Sequence, residues 1–220
     1  NLTKYYNASP NKGLIDAMTP AILITTGAMN PMHIGHVDML ARARRMLENE
    51  YNFIVLGGVI SPTHGTGYVQ GKLTSKTNAI DRLLLNDYER TELINSTING
   101  DYDDDDDDDD DDSWLTCGEW EINQSDFVDF PYVVENFRKH VYTNSALAQK
   151  KPKIFYVCGY DHWDKTKGGG VQNHPDQGII VIPREISGHI DFVPTNESQS
   201  VYGVTERNEL MEKISSTSTK

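Results

Sequence analysis

The chain has 220 residues, 37% of them hydrophobic and 24% charged, which fits one globular domain of ordinary size carrying insertions. Its formal net charge is −13, but Asp101 and the run Asp103 to Asp112 supply 11 of those charges, so the body of the chain is near neutral. With only 20 Lys and Arg it lacks the basic footprint of a nucleic-acid or anionic-membrane binder, and no apolar run approaches the roughly 20 residues of a membrane span.

The opening NLTKYYNASP has neither a basic n-region nor an apolar h-region, so the expectation is a soluble intracellular protein, cytoplasmic or nuclear. Without an initiator Met, the chain reads as a fragment. Cys117 and Cys158 lie too far apart for zinc or redox spacing and read as buried thiols.

In chain order, Ala21 to Thr26 is a β-branched run ending at Gly27 and reads as a buried parallel strand. After a turn containing Pro31, Val37 to Leu47 places Val37, Leu40, Ala41, Ala43 and Leu47 near one face, an amphipathic helix. Phe53 to Leu56 is a second strand, closing a strand–helix–strand unit of the kind that binds ligands at the carboxyl ends of its strands. A loop from Ser61 to Lys76 leads to a helix predicted from about Asn78 to Ile94. Consecutive aspartates repel one another and bury nothing, so residues 99–112 read as a disordered acidic insertion.

Trp114 to Cys117 reads as a strand with Trp114 in the core, Tyr132 to Ala148 as a helix, and Ile154 to Cys158 as a core strand ending at Gly159. Asp164 to Gln177 reads as a Gly-rich loop, Ile179 to Ile182 as a strand and Ile190 to Val193 as one more. The alternation predicts an α/β fold: a single Rossmann-like doubly wound domain over residues 1–220, with a mainly parallel sheet and the poly-Asp insertion.

The segment with chemistry in it is Gly27-Ala-Met-Asn-Pro-Met-His-Ile-Gly-His36, where a strand hands over to a helix. Gly27 and Gly35 allow close backbone approach, Pro31 stiffens the turn, and a helix start offers unsatisfied N–H groups to an anion. His33 and His36, three apart, can donate to oxygens of one phosphate chain. This segment resembles the G-x-F-x-P-x-H-x-G-H signature of the nucleotidylyltransferase superfamily, with Met29 as an apolar plug in the Phe position. His33 to His36 also spell the H-I-G-H of class I aminoacyl-tRNA synthetases, for which this chain is too short and too acidic. Near the C-terminus, Ile214 to Lys220 resembles the superfamily's I-S-S-T-x-x-R motif. The hydroxyls of Ser215, Ser216 and Thr217 suit phosphate oxygens there, while Lys220 in the Arg position keeps the charge and loses the bidentate fork.

Gly58 to Pro62, Ser113 to Glu121 and Cys158 to Asp161 resemble, in order, segments of the eukaryotic nicotinamide/nicotinate mononucleotide adenylyltransferases. The resemblance implies transfer of AMP from ATP to the mononucleotide by in-line attack of its 5′-phosphate, with pyrophosphate leaving. His33 and His36 would be catalytic. Gly27, Met29, Gly159, Asp161 and the Ser215 to Lys220 motif would bind ATP, with Asp161 against the ribose. Trp120 would stack on the pyridine ring, joined by Glu121, Lys72 and Arg184 on the mononucleotide. Where the family runs through several lysines after its Ser-Pro, this chain has only Lys72 and, further on, Lys76. Mg²⁺ would arrive with ATP, without a dedicated protein cage.

The histidine turn alone also fits a phosphopantetheine adenylyltransferase or a cytidylyltransferase, against which Trp120-Glu121 and the long insert argue. A non-catalytic nucleotide-binding or chaperone-like protein on the same scaffold is a further reading. Nicotinamide versus nicotinate preference and homo-oligomer formation stay open at this point.

Overall fold

The computed structural model describes residues 18–65, 69, 84–99, 114–144, 147–186, 189–191 and 193–206. The acidic run, Lys72 and the Ser215 to Lys220 motif lie outside them. The first unit is β1 (Thr19–Gly27), α1 (Ile34–Glu50) and β2 (Phe53–Pro62), with the two strands parallel. Then follow α2 (Asp87–Asn99), β3 (Leu115–Cys117), α3 (Phe130–Asn144), β4 (Lys153–Gly159) and α4 (Tyr160–Thr166). The chain continues through β5 (Gln177–Ile182), β6 (Arg184–Ile186), β7 (His189–Asp191) and β8 (Val201–Gly203).

Six strands form one sheet in the order β3-β2-β1-β4-β5-β8, every pairing parallel. The strand order turns outward in both directions from β1 and β4, which makes their carboxyl ends the switch point where such sheets bind ligands. Side-chain alternation divides the core in two. Leu23, Phe155, Val157, Ile180 and Ile182 face α1 with its Leu40, Met46 and Leu47. Ile22, Ile24, Tyr156, Ile179 and Val181 face α3 with its Val133, Val134 and Val141.

β2 is longer than the Phe53 to Leu56 run predicts, because Gly57 and Gly58 continue the strand rather than end it. Between the pairs Ala21↔Val55 and Leu23↔Gly58, β2 carries one extra residue, a bulge that exchanges its two faces. Val55 and Ile60, of opposite parity, therefore lie in the same half of the core. A side chain at Gly58 would collide with Leu115 and Trp114, so only glycine lets β3 close on β2. Trp114 itself is partly buried against the core, with the Arg44 guanidinium 4.9 Å from its ring centre.

Three expectations are corrected. Residues 84–86 are not helical, and α2 begins at Asp87 and runs five residues past the predicted end, to Asn99. Its start is fixed by a reciprocal cap: the Glu89 N–H donates to Asn86 Oδ1 (3.0 Å) and the Asn86 N–H to Glu89 Oε2 (2.7 Å). Asp164 to Gln177 is no open loop, since α4 runs into a 3₁₀ segment, Lys167–Asn173, containing Gly168, Gly169 and Gly170 at φ 79°, 55° and 86°. The Ile190 to Val193 strand is instead β7, paired antiparallel with β6 outside the main sheet, and the sheet's sixth strand is the three-residue β8. Among the described residues no helix is long and apolar enough to cross a membrane.

Candidate active site

The register pairs Ile24 with Tyr156, so Gly27 and Gly159, each three residues further on, end β1 and β4 at the same level. The segment after Gly27 is bound into place from several sides. The Thr63 N–H donates to Gly27 O (2.8 Å), joining the ends of β1 and β2. Met29, at φ +46°, is buried as an apolar plug, and Asn30 Oδ1 accepts from the Leu85 N–H (2.9 Å). Arg90 of α2 is 0% exposed. Its Nη1 donates to Ala28 O and Thr63 O, both at 2.7 Å, and its Nη2 to Asp87 Oδ1 at 2.5 Å. A buried guanidinium thus ties together the loops leaving β1 and β2. Nothing in the sequence distinguished Arg90 from a solvated helix arginine.

His33 caps α1 and His36 lies in its first turn, with ring centres 3.9 Å apart and planes inclined by 33°. The His36 N–H donates to His33 O (2.9 Å), and His36 Nδ1 lies 3.3 Å from both the backbone N and O of His33. The backbone therefore occupies Nδ1 and fixes the ring. Burial, reinforced by the His33 ring, lowers the His36 pKa to about 3, so the imidazole is neutral at physiological pH. A neutral imidazole at a helix start offers hydrogen bonds without adding fixed charge.

Across the switch point, Asp161 falls in the first turn of α4, and a Cβ at Gly159 would come within 3.0 Å of its Oδ1. Beneath the crevice, the buried Tyr156 hydroxyl lies 3.3 Å from Thr26 Oγ1 and 3.3 Å from His162 Nε2, linking β1, β4 and α4. The ring of Tyr156 stacks on Phe130 of α3 at 4.8 Å.

On the α3 side of the sheet, a cavity of about 180 Å³ opens at the carboxyl ends of β1, β2 and β3. Ile24, Val59, Val133 and Phe137 make it apolar, and Ser61, Asn136 and His140 bring polar atoms to it. Trp120 lines it while remaining 42% exposed. The Gly118 N–H donates to Ile60 O (2.8 Å), holding the turn that carries Trp120 against β2. Glu121 points the other way, 1% exposed, accepting 2.8 Å from Ser61 Oγ. Burial pushes its pKa up to about 7, against the bonds from Ser61 and Thr63 and the charge of Arg90. Its place is behind the cavity wall rather than in the lining.

Of the residues singled out from sequence, Gly27, Met29, His33, His36, Gly159 and Asp161 meet around the β1–β4 crevice, and Trp120 lies at the neighbouring cavity. Arg184 opens β6, just beyond the end of β5. Asn136 and His140 went unnoticed in sequence, although their spacing puts them one turn apart on a helix. Both cysteines are free; Cys158 is buried and its thiol pKa is raised by that burial, and Cys117, half-buried, is raised to about 11 by burial and Glu119. Among the described residues no group of three His, Cys, Asp or Glu side chains is placed to hold a metal ion.

A parallel sheet with a glycine-bounded histidine turn at its switch point defines a Rossmann-like α/β protein. The cytidylyltransferase-like family model matches residues 24–220, and the chain belongs to that family. Among its relatives, nicotinamide/nicotinic acid mononucleotide adenylyltransferase 2 of Xenopus tropicalis is 43% identical over 58 residues, 26% of this chain and 19% of that protein. The protein of the same name from Rattus norvegicus is 40% identical over 62 residues, 28% and 20% of the two chains. The matched stretches thus span about a fifth of those relatives' length. Solved structures of Plasmodium falciparum nicotinic acid mononucleotide adenylyltransferase, complexed with APC and with NaAD, share the fold at a TM-score of 0.52, covering 90% of this chain and 80% of theirs. Sequence identity to them is 12% and 14%, so the likeness is one of fold alone.

Proposed function

We propose that this chain transfers the AMP moiety of ATP to nicotinamide or nicotinate mononucleotide, releasing pyrophosphate. The observation that carries the reading is Trp120, half exposed over an apolar cavity at the same carboxyl end of the sheet as the histidine turn. A flat, electron-poor ring stacks on such a face, and a cavity of about 150 Å³ is known to take up a benzene ring. The ring enters on the α3 side while its 5′-phosphate reaches toward the β1–β4 crevice, where ATP lies along the turn after Gly27.

Catalysis is then alignment plus charge stabilisation. His33 and His36 hydrogen-bond the transferring phosphate; Asp161 accepts from ribose hydroxyls; Ser215, Ser216, Thr217 and Lys220 take the departing pyrophosphate; Lys72 and Arg184 serve the mononucleotide. Glu121 acts through Ser61 and the turn at Trp120. The donor-rich, carboxylate-poor crevice suits Mg²⁺ carried in on the triphosphate, where it supplies charge neutralisation. Incubating the chain with ATP, Mg²⁺ and a panel of acceptors, pyridine mononucleotides, phosphopantetheine and choline phosphate among them, and measuring pyrophosphate tests this. Turnover restricted to the pyridine mononucleotides is expected; turnover of another acceptor, or of none, overturns the reading.

A further inference from the structure

We infer that Thr63 is a positioning residue that links the two halves of the site, so that the mononucleotide and ATP each bind more tightly in the presence of the other. The inference rests on the function proposed above, which supplies the two ligands, and adds the link between them.

Thr63 follows Pro62, the last residue of β2, and is 3% exposed. Each of its polar groups is engaged, and in a different direction. Its N–H donates to Gly27 O (2.8 Å), at the start of the histidine turn. Its carbonyl accepts from Arg90 Nη1 (2.7 Å), the same nitrogen that donates to Ala28 O (2.7 Å). Its hydroxyl bonds the carboxyl of Glu121, the neighbour of Trp120. One residue thus holds the turn after Gly27 with its backbone and the turn carrying Trp120 with its side chain.

The hydroxyl is the informative part. Ser61 Oγ already donates to Glu121 Oε2 at 2.8 Å, which anchors the Trp120 turn to β2. A second bond, from the residue that also braces Gly27, adds connection more than anchorage. With Glu121 1% and Arg90 0% exposed, the path from Glu121 to Gly27 runs through the protein interior, where hydrogen bonds are stronger than in water. Pro62 fixes its own φ and the β-branched Thr63 has a stiff side chain, so little slack is left between the ends. A ring stacked on the half-exposed Trp120 restricts its turn, and the restriction passes through Glu121 and Thr63 to the start of the histidine turn. Whichever ligand comes second meets a site already ordered and loses less entropy on binding. Linkage requires the same factor in either order.

The test is calorimetric titration in Mg²⁺ buffer of the α,β-methylene analogue of ATP into the chain alone and into the chain saturated with nicotinamide or nicotinate mononucleotide. The mononucleotides are then titrated with and without the analogue. Wild type is expected to show about tenfold tightening, equal in both orders. Thr63→Val keeps the shape and both backbone bonds and removes the hydroxyl. Its tightening should fall to about twofold or less, while each ligand alone binds within about threefold of wild type. Thr63→Ser should restore the coupling. If the valine variant is unstable, Thr63→Ala removes the same hydroxyl and gives the same reading. A residue with a purely structural role would weaken both ligands and leave the tightening factor as it is. Independent binding by the wild type, or undiminished coupling in the variants without the hydroxyl, overturns the inference and leaves the function intact. A wild type that binds the analogue and neither mononucleotide overturns the function as well.

Discussion

Trp120 and Glu121 are adjacent in sequence and face opposite ways, the indole to the cavity and the carboxyl into the protein beneath Ser61. One turn thus provides both a face of the cavity and the anchor that holds it. The two residues should fail differently when altered.

Trp120→Ala removes the stacking face and leaves the anchor. The KM for the mononucleotide should rise by the equivalent of about 1–3 kcal/mol, as for base–aromatic stacking, with the KM for ATP little changed. Steady-state kinetics with each substrate varied in turn separates the two; equal effects on both would mark a structural tryptophan.

Glu121→Gln keeps the acceptor for Ser61 and removes the ionisation. Because the folded carboxyl titrates near 7, above its ordinary value of 4.5, the native state holds a proton that the unfolded chain has released, and wild-type stability falls as pH rises from about 4.5 to 7. The variant should be more stable than wild type at pH 8 and close to it at pH 4.5. Thermal unfolding of both proteins across this range is the check, and parallel curves would show that Glu121 does not titrate in this way.

His36 works in the opposite sense. Its folded pKa, near 3, lies below the unfolded value of 6.5, so the group costs stability progressively as pH falls through that window. His36→Ala should remove this acid sensitivity. It should also lower kcat by about 10²–10³, the usual effect of losing a donor to developing charge, while added ATP still protects the fold from heat. Near-wild-type turnover would dismiss the histidine turn as a phosphate site.

Arg90→Met takes the donor from Ala28 O and Thr63 O together. Each buried carbonyl left without a donor typically costs about 1–3 kcal/mol, so urea unfolding should show a clear loss. Arg90→Lys cannot reproduce the fork and should recover little of it. A loss below about 1 kcal/mol would show that the turn holds without this brace.

Much of this was legible in sequence for a simple reason: β1, β4 and β5 are continuous apolar runs bounded by glycine or proline, and the histidine turn is local. What was missed depends on tertiary contact. The second strand was read only as far as Leu56, and the approach of Leu115 explains why glycine at 58 continues β2. The glycines of 168–170 looked like an open loop, yet a Cβ at Gly168 would stand 2.1 Å from Ile179 Cδ1 and one at Gly169 2.7 Å from Phe130 Cζ, so they mark close packing. The start of α2 was readable: Asn86 and Glu89 have capping-box spacing, which outranks the apolar pattern before it. The cavity was not readable, because it joins side chains of β1, β2, α3 and the turn after β3, which no local pattern connects.

The division of the core by the sheet has a consequence for how such a protein changes over time. The histidine turn belongs to the α1 side and the aromatic cavity to the α3 side, and they share little beyond the ends of β1 and β2. Substitutions on α3 can therefore reshape the cavity without disturbing the histidine turn. The sheet thus keeps one half as a fixed turn and leaves the other as an exchangeable socket.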